Sequence, residues 1–170
     1  MTARSQTKLP LYTPEERYRR DHSAWTRVQG VLAPLQFMVF IISLILVLRF
    51  LASGEGFELA TASIVAKTLL LYAIMVTGSI WEKEVFGRYL FARPFFWEDA
   101  VSMIVIALHT AYLIAWYHAL LDANQQMLLA LAAYATYLIN AGQFLIKFRS
   151  ARIDAAPSPL PVDNLAELTR

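Results

Sequence analysis

The sequence predicts an all-α integral membrane protein with four transmembrane helices, and its composition and its long apolar runs support that prediction. Of the 170 residues, 58% are apolar and only 16% are charged, against roughly 45–50% and 25% in typical soluble domains. Four apolar runs reach the roughly 20 residues that a membrane helix needs: 31–51, 61–81, 100–121 and 126–146. We therefore expect one transmembrane domain, residues 31–146, between a segment 1–30 and a tail 147–170.

The segment before the first run contains a helix start signal. Thr13 fits an N-cap, Pro14 the first helical position and Glu16 the third residue of a capping box. The predicted helix continues to about Arg27 and, being rich in arginine, lies on the membrane surface. No apolar stretch typical of a cleaved signal peptide precedes it. The proline-rich tail from Asp154 is expected to be partly disordered.

Basic residues alternate between the connecting segments. Six Lys and Arg residues precede the first run, the loops 52–60 and 122–125 have none, and the second loop has Lys83, Arg88 and Arg93. Further basic residues follow the fourth run from Lys147 onwards. Because basic loops stay in the cytoplasm, we expect both termini and the second loop there. Lys67, which falls inside the second run, is expected to extend to the membrane surface by snorkelling, with a buried partner as the alternative.

The loop 81–99, WEKEVFGRYLFARPFFWED, combines acids with aromatic rings at a membrane edge. Its acids are Glu82, Glu84, Glu98 and Asp99, and its rings are Trp81, Phe86, Tyr89, Phe91, Phe95, Phe96 and Trp97. Carboxyl groups can transfer protons, and rings can hold a flat apolar ligand. Alternatively, the acids are solvated or ion-paired, or one of them caps a helix, for which Asp99 is the better candidate. The tryptophans then only mark the membrane interface.

Two apolar runs carry polar stripes. In the third run, helical spacing places these residues on one face: Glu98, Ser102, Val105, His109, Tyr112 and Trp116. His109 lies halfway across, where an imidazole needs a partner or a cavity. It could bond a neighbouring helix, ligate a metal in a bound tetrapyrrole or haem, or act as an acid–base group. A matching stripe in the fourth run comprises Thr136, Asn140, Gln143 and Lys147, with Tyr134 and Tyr137 beside it.

Several functional classes are excluded. The chain has no cysteine, which rules out disulfides, thiolate catalysis and iron–sulfur ligation. It has no P-loop, dinucleotide-binding glycine pattern or nucleophile elbow. The three histidines are too dispersed for a helical metal motif, and the basic residues form no nucleic-acid-binding stripe.

Five stretches together resemble the 3-vinyl (bacterio)chlorophyllide hydratase family of phototrophic bacteria, over most of residues 9–150. They are LPLYTPEERYRRD, QGVLAPLQFMVF, YAIMVTGSIWEKEVFGRYLF, FFWEDAVSMIVIALHTAYL and YATYLINAGQFLIKFR. The resemblance implies a hydro-lyase of bacteriochlorophyll biosynthesis that converts the C3 vinyl group of chlorophyllide a or a bacteriochlorophyllide to a 3-(1-hydroxyethyl) group. It implies the intracytoplasmic photosynthetic membrane and no cofactor. Other pigment-biosynthesis enzymes are possible partners. The alternative is a non-catalytic pigment- or haem-binding assembly protein of that membrane.

This hydration needs a proton donor, a group that orients water and a flat apolar cleft. We expect Glu98 to donate the proton and Glu82 or Asp99 to position water. His109 is the candidate ligand to the magnesium of the substrate, and Arg88 or Arg93 the candidate to bind its propionate. The remaining predicted substrate contacts are Trp81, Trp97, Tyr112, Asn140 and Gln143.

Overall fold

A computed structural model describes residues 11–154 as five α-helices without a strand among them. They are α1 (Pro14–His22), α2 (Ala24–Ser53), α3 (Phe57–Phe86), α4 (Phe96–Tyr117) and α5 (Ala123–Asp154). The last four are long and apolar enough to cross a membrane. The predicted fold class is therefore confirmed.

Two helical hairpins form the bundle. α2 packs along α3, and α4 packs along α5, whereas α3 and α4 contact each other much more sparsely. Gly54 ends α2 with φ 74° and Gly56 precedes α3 with φ 85°, a left-handed backbone that glycine adopts without strain. Because successive helices are antiparallel, the loop 87–95 lies at the same end of the bundle as α1 and the end of α5.

The predicted capping box at the start of α1 is confirmed. The Thr13 hydroxyl accepts a bond from the Glu16 amide at 3.2 Å, and the Glu16 carboxylate accepts one from the Thr13 amide at 2.8 Å. The helix does not continue to Arg27, however, because Ser23 is extended (φ −68°, ψ 132°). The Ser23 hydroxyl instead accepts from the amide of Trp25 and starts α2.

Several other helix ends differ from the predicted runs, among them the C-terminal ends of α4 and α5. α4 ends at Tyr117, four residues before the predicted end, and Ala119 follows with φ 49°. α5 continues past the predicted boundary to Asp154. The proline-rich tail and the first basic residues, Arg4 and Lys8, lie outside the described residues.

The predicted polar faces of the helices point into the bundle. On α4 the buried residues include Glu98, Ser102, His109 and Tyr112, whereas Trp116 lies 45% exposed at the end of the stripe. On α5 the buried members are Tyr134, Tyr137 and Asn140. Gln143 and Lys147 are half-buried, and Thr136 bonds carbonyls of its own helix. Polar groups therefore lie inside the bundle at two levels, one at the loop 87–95 and one near its middle.

The expectation that Lys67 snorkels to the membrane surface is wrong. Its side chain is fully buried, and Nζ lies 2.8 Å from Nε2 of His109. It also lies 4.2 Å from the centre of the Tyr137 ring. A neighbouring imidazole and aromatic rings, rather than water, thus surround the amine.

Candidate active site

Two acids from different helices meet at the loop end of the bundle. Glu82 lies in the last turns of α3 and Asp99 in the first turn of α4, and their carboxyl groups are close enough to interact with each other. Their exposed fractions are only 5% and 4%. Two buried carboxylates side by side repel each other, which favours a state in which the two carboxyl groups hold one proton between them. This arrangement can both release and accept a proton.

The loop between α3 and α4 fixes this acid pair, Glu82 and Asp99. The amide of Phe91 donates to Oδ2 of Asp99 at 2.7 Å, and the amide of Ala92 donates to Oε2 of Glu82 at 3.3 Å. Phe91 has φ 59°, a left-handed conformation that is uncommon for a non-glycine residue. The chain therefore bends sharply where two successive amides face the two acids.

The expectation that Asp99 caps α4 is wrong. The helix begins at Phe96, its N-cap is Phe95, and no side-chain hydrogen bond caps it. The carboxyl group of Asp99 instead accepts from the loop amide of Phe91. It still lies in the first turn, where the helix dipole favours negative charge.

Glu98, the predicted proton donor, is anchored to α5. Its Oε2 lies 2.7 Å from Nζ of Lys147, and its side chain is buried. Its backbone carbonyl accepts from Asn140 Nδ2 and from the Ser102 hydroxyl, each at 2.8 Å. The Ser102 hydroxyl also lies 3.1 Å from Oδ1 of Asn140. Glu98 is thus an ion-paired carboxylate beside the acid pair.

The aromatic rings of the loop divide into a buried and an exposed set. Trp81 and Phe95 are buried, with ring centres 5.7 Å apart, and Trp81 Nε1 donates to the Thr26 hydroxyl at 2.9 Å. In contrast, Trp97 is 71% exposed, and Phe96 and Tyr89 are exposed as well. The buried rings pack the bundle next to the acids, and the exposed rings are free to contact lipid or ligand.

Tyr12 adds a ring to the buried set that was not expected from the sequence pattern. It stacks on Phe86, with centres 5.7 Å apart, and the Arg20 guanidinium lies 4.7 Å from its ring. Burial raises the pKa of the Tyr12 hydroxyl. Tyr12, just before α1, therefore packs over this end of the bundle, and no local sequence signal indicates that packing.

The other predicted substrate contacts lie at different depths. Arg88 and Arg93 are exposed in the loop. Gln143 is half-buried, and its Oε1 has no hydrogen-bond partner among the side chains and backbone described for residues 11–151. Tyr112 is fully buried towards the other end of the bundle, 3.5 Å from the hydroxyl of Thr61. The structure thus brings the acids together with the arginines, Trp81 and Asn140 at one end and separates them from Tyr112.

His109 belongs to the middle of the bundle. Nδ1 donates to the Val105 carbonyl at 2.8 Å, and Nε2 faces Lys67. It is ten residues from Asp99, or about 15 Å along the helix axis. A role as ligand to the substrate magnesium stays a prediction, and it requires Lys67 to leave Nε2. Among the described residues, no three His, Asp or Glu side chains could hold a metal ion together.

A groove of about 360 Å³ opens between α3 and α4, but at the end of the bundle opposite the acids. It is lined mainly by apolar side chains, including Val65, Leu113 and Trp116. None of the predicted site residues lines it. We therefore place the candidate chemistry at the buried carboxyl groups and treat the groove as part of the lipid-facing surface.

Two lysines matter more than the sequence suggested. Lys67 falls in an apolar run without a nearby acid in sequence, so its buried partner His109 could not be identified from spacing. From the sequence, Lys147 was recognised as the end of the polar stripe on α5 and as a basic residue after the fourth run. Its ion pair with Glu98 joins residues 49 positions apart, a contact that requires the tertiary fold.

Comparison with known proteins identifies close relatives. The family model of 2-vinyl bacteriochlorophyllide hydratase matches residues 12–150. The 2-vinyl bacteriochlorophyllide hydratase of Rhodobacter capsulatus is 65% identical over 150 residues, which cover 88% of this chain and 87% of the relative. The protein of that name from Cereibacter sphaeroides is 66% identical over 148 residues, 85% of this chain and 89% of the relative. No solved structure matches the chain.

Proposed function

The chain belongs to the 2-vinyl bacteriochlorophyllide hydratase family, and on that premise we propose that it hydrates the vinyl group of a chlorophyllide through the Glu82–Asp99 pair. The group numbered 2 in the names of the relatives is the C3 vinyl group in the numbering used above. The enzyme is then a hydro-lyase of bacteriochlorophyll biosynthesis. The observation that carries the site assignment is the burial of these two neighbouring acids, each of which accepts a hydrogen bond from a loop amide.

The reaction uses the one shared proton in two steps. The pair transfers it to the terminal vinyl carbon, which leaves a cation on the carbon next to the macrocycle, where the π-system delocalises the charge. Water then adds to that carbon and returns a proton to the pair. The sum is the addition of one water, and no electron is transferred.

The surroundings of the pair favour this cycle. After the proton has left, Glu82 and Asp99 both carry negative charge, which stabilises the nearby cation and attracts a proton from the adding water. The amides of Phe91 and Ala92 donate to these two carboxyl groups and so stabilise the charged form. Burial strengthens both interactions because it excludes bulk water.

Glu98 receives a different role from the one expected from the sequence. An ion-paired carboxylate has no proton to give, and Glu98 is paired with Lys147 at 2.7 Å. We therefore assign donation to Glu82 and Asp99, and assign to Glu98 the orientation of the first turn of α4, which carries Asp99.

The remaining predicted contacts are assigned by depth. Arg88 and Arg93, exposed in the loop, bind the propionate carboxylate of the substrate. Trp97 covers the macrocycle at the membrane surface. Trp81, Asn140 and Gln143 contact the substrate on the bundle side near the acids. Tyr112, which lies deeper, contacts the part of the macrocycle farthest from the acids, and His109 is the candidate ligand for the magnesium.

The substrate reaches the pair from the membrane by separating α3 from α4. Glu82 and Asp99 lie on these two helices and are almost completely buried, so a planar ring cannot approach them without parting the helices. The sparse packing between α3 and α4 supports this route. From the distribution of basic residues we place this end of the bundle at the cytoplasmic face of the photosynthetic membrane.

A direct assay tests the function. Purified protein in detergent is incubated with chlorophyllide a without an added cofactor, and the pigment is analysed by absorption and mass. We expect loss of the vinyl group and a mass gain of one water. Tight binding of unchanged pigment would instead identify a pigment-binding assembly protein and would contradict the proposed enzyme.

A further inference from the structure

Lys147 extends from α5 to the residues that precede α4. Its Nζ lies 2.7 Å from Oε2 of Glu98, donates to the backbone carbonyl of Pro94, and lies 5.3 Å from the centre of the Phe95 ring. We propose that Lys147 is a positioning residue that holds the loop, and through it the acid pair, in the reactive arrangement. This inference rests on the hydration reaction proposed above.

The contacts form a continuous chain from Lys147 to both acids. Pro94 belongs to a turn that is closed by a bond of 2.8 Å from the amide of Phe95 to the carbonyl of Ala92. The amides of Ala92 and its neighbour Phe91 donate to the two acids of the pair. A displacement of Pro94 therefore moves the two amides that orient the acids.

The second path runs through the start of α4. Glu98 directly precedes Asp99, so an ion pair at Glu98 fixes the helical turn that carries Asp99. The amide of Asp99 in turn donates to the carbonyl of Phe95 at 2.9 Å. Lys147 thus holds both the loop whose amide donates to Asp99 and the helical turn that carries Asp99.

Charge gives Lys147 a further effect on the pair. Glu82, Glu98 and Asp99 are three buried acids at one end of the bundle. Among residues 11–151, whose side chains the structure describes, Lys147 is the cation that forms an ion pair with one of them, and its charge also acts on Asp99. It therefore balances the negative charge that the pair carries after donating its proton.

Lys83 provides a matched control. It lies at the same end of the bundle, donates to the loop carbonyl of Gly87 at 3.2 Å, and sits 5.3 Å from the centre of the Tyr89 ring. It is exposed and forms no ion pair with the acids. Lys83→Met therefore removes an equivalent lysine without disturbing the path from Lys147.

The experiment measures hydration of chlorophyllide a by Lys147→Met, Lys147→Arg and Lys83→Met. We expect Lys147→Met to lower kcat by about 10²-fold, the scale for a misplaced reactive group, while KM changes little because the variant keeps the substrate contacts. Lys147→Arg keeps the charge and two or more donors, so it should recover most of the lost kcat. Lys83→Met should react like the unsubstituted protein.

Three results would overturn the inference: a folded Lys147→Met protein with normal kcat, a loss confined to KM, or a Lys147→Arg protein as inactive as the Met variant. If Lys147→Met does not fold, Lys147→Gln replaces it under the same criteria. Failure of the proposed function is a separate result, because in that case the unsubstituted protein would not hydrate the pigment.

Discussion

Nζ of Lys67 on α3 donates a hydrogen bond of 2.8 Å to Nε2 of His109 on α4, midway through the bundle. Two tyrosine rings also lie close to the amine of Lys67. The centre of the Tyr137 ring is 4.2 Å from Nζ, and that of Tyr134 is 5.1 Å away. No ion pair with an acid is formed there among the described residues. Cation–π contacts and one imidazole thus stabilise an amine that would otherwise be costly inside a membrane.

The first prediction concerns the stability of this link. His109→Ala leaves the buried amine of Lys67 without its acceptor, so it should lower the free energy of unfolding by about 3 kcal/mol or more. Adding Lys67→Met removes the orphaned amine and should restore part of that loss. Thermal unfolding in detergent, followed by circular dichroism, measures both. A double variant less stable than His109→Ala would show that the amine is stabilised without the imidazole.

The second prediction tests whether His109 ligates the magnesium of the substrate. Its Nδ1 is bonded to the Val105 carbonyl, which leaves Nε2 as the ligand atom, a pattern found in metal-binding histidines. We expect His109→Ala to weaken the binding of chlorophyllide and to alter the absorption spectrum of the bound pigment. Both effects should be smaller for the magnesium-free pigment. Equal losses for the two pigments would leave His109 as an interhelical link to Lys67.

Sequence reasoning succeeded where the signal was local. The inward faces of α4 and α5, the capping box at Thr13 and the four apolar runs follow from spacing and composition. It failed for Lys67 and for the contact of Asp99 with Phe91, because those depend on which helix lies opposite and on a left-handed backbone in the loop. The acids were recognised as a group, but only the fold distinguishes the Glu82–Asp99 pair from the ion-paired Glu98.

The third prediction concerns the acid pair itself. Glu82→Gln and Asp99→Asn each remove the shared proton while keeping the size of the side chain, so each should lower kcat by roughly 10²-fold or more, the usual scale for a lost general acid. Pigment binding, measured by absorption titration, should persist. Glu84→Gln is the control, because Glu84 is exposed and bonds the Ser23 hydroxyl at 2.7 Å. Normal turnover in both pair variants would exclude the pair as proton donor.

The fourth prediction concerns topology. The chain has no cysteine, so single cysteines can be placed without background. We expect cysteines at Glu55, between α2 and α3, and at Asn124, in the first turn of α5, to react with a membrane-impermeant reagent in intact cells, because both positions are exposed at the end whose loops have no basic residues. A cysteine at Tyr89, exposed in the acid-containing loop, should react only after the membrane is opened. Labelling at Tyr89 but not at the other two positions would invert the topology and place the acids at the opposite face.

The last prediction separates Glu98 from the acid pair. Glu98→Gln removes the carboxylate that pairs with Lys147, but the amide can still accept a bond from the lysine, and the bonds from Asn140 and Ser102 go to the backbone carbonyl, which is unchanged. The first turn of α4 should therefore stay in place. We expect kcat to fall less than in Glu82→Gln or Asp99→Asn, by about 10-fold or less, because the proton of the pair is retained.

Single-turnover rates for the three variants, with pigment binding measured in parallel, provide the comparison. A loss of roughly 10²-fold in Glu98→Gln, with near-normal rates in the other two, would make Glu98 the donor, and the proton would then have to reach it despite its ion pair with Lys147.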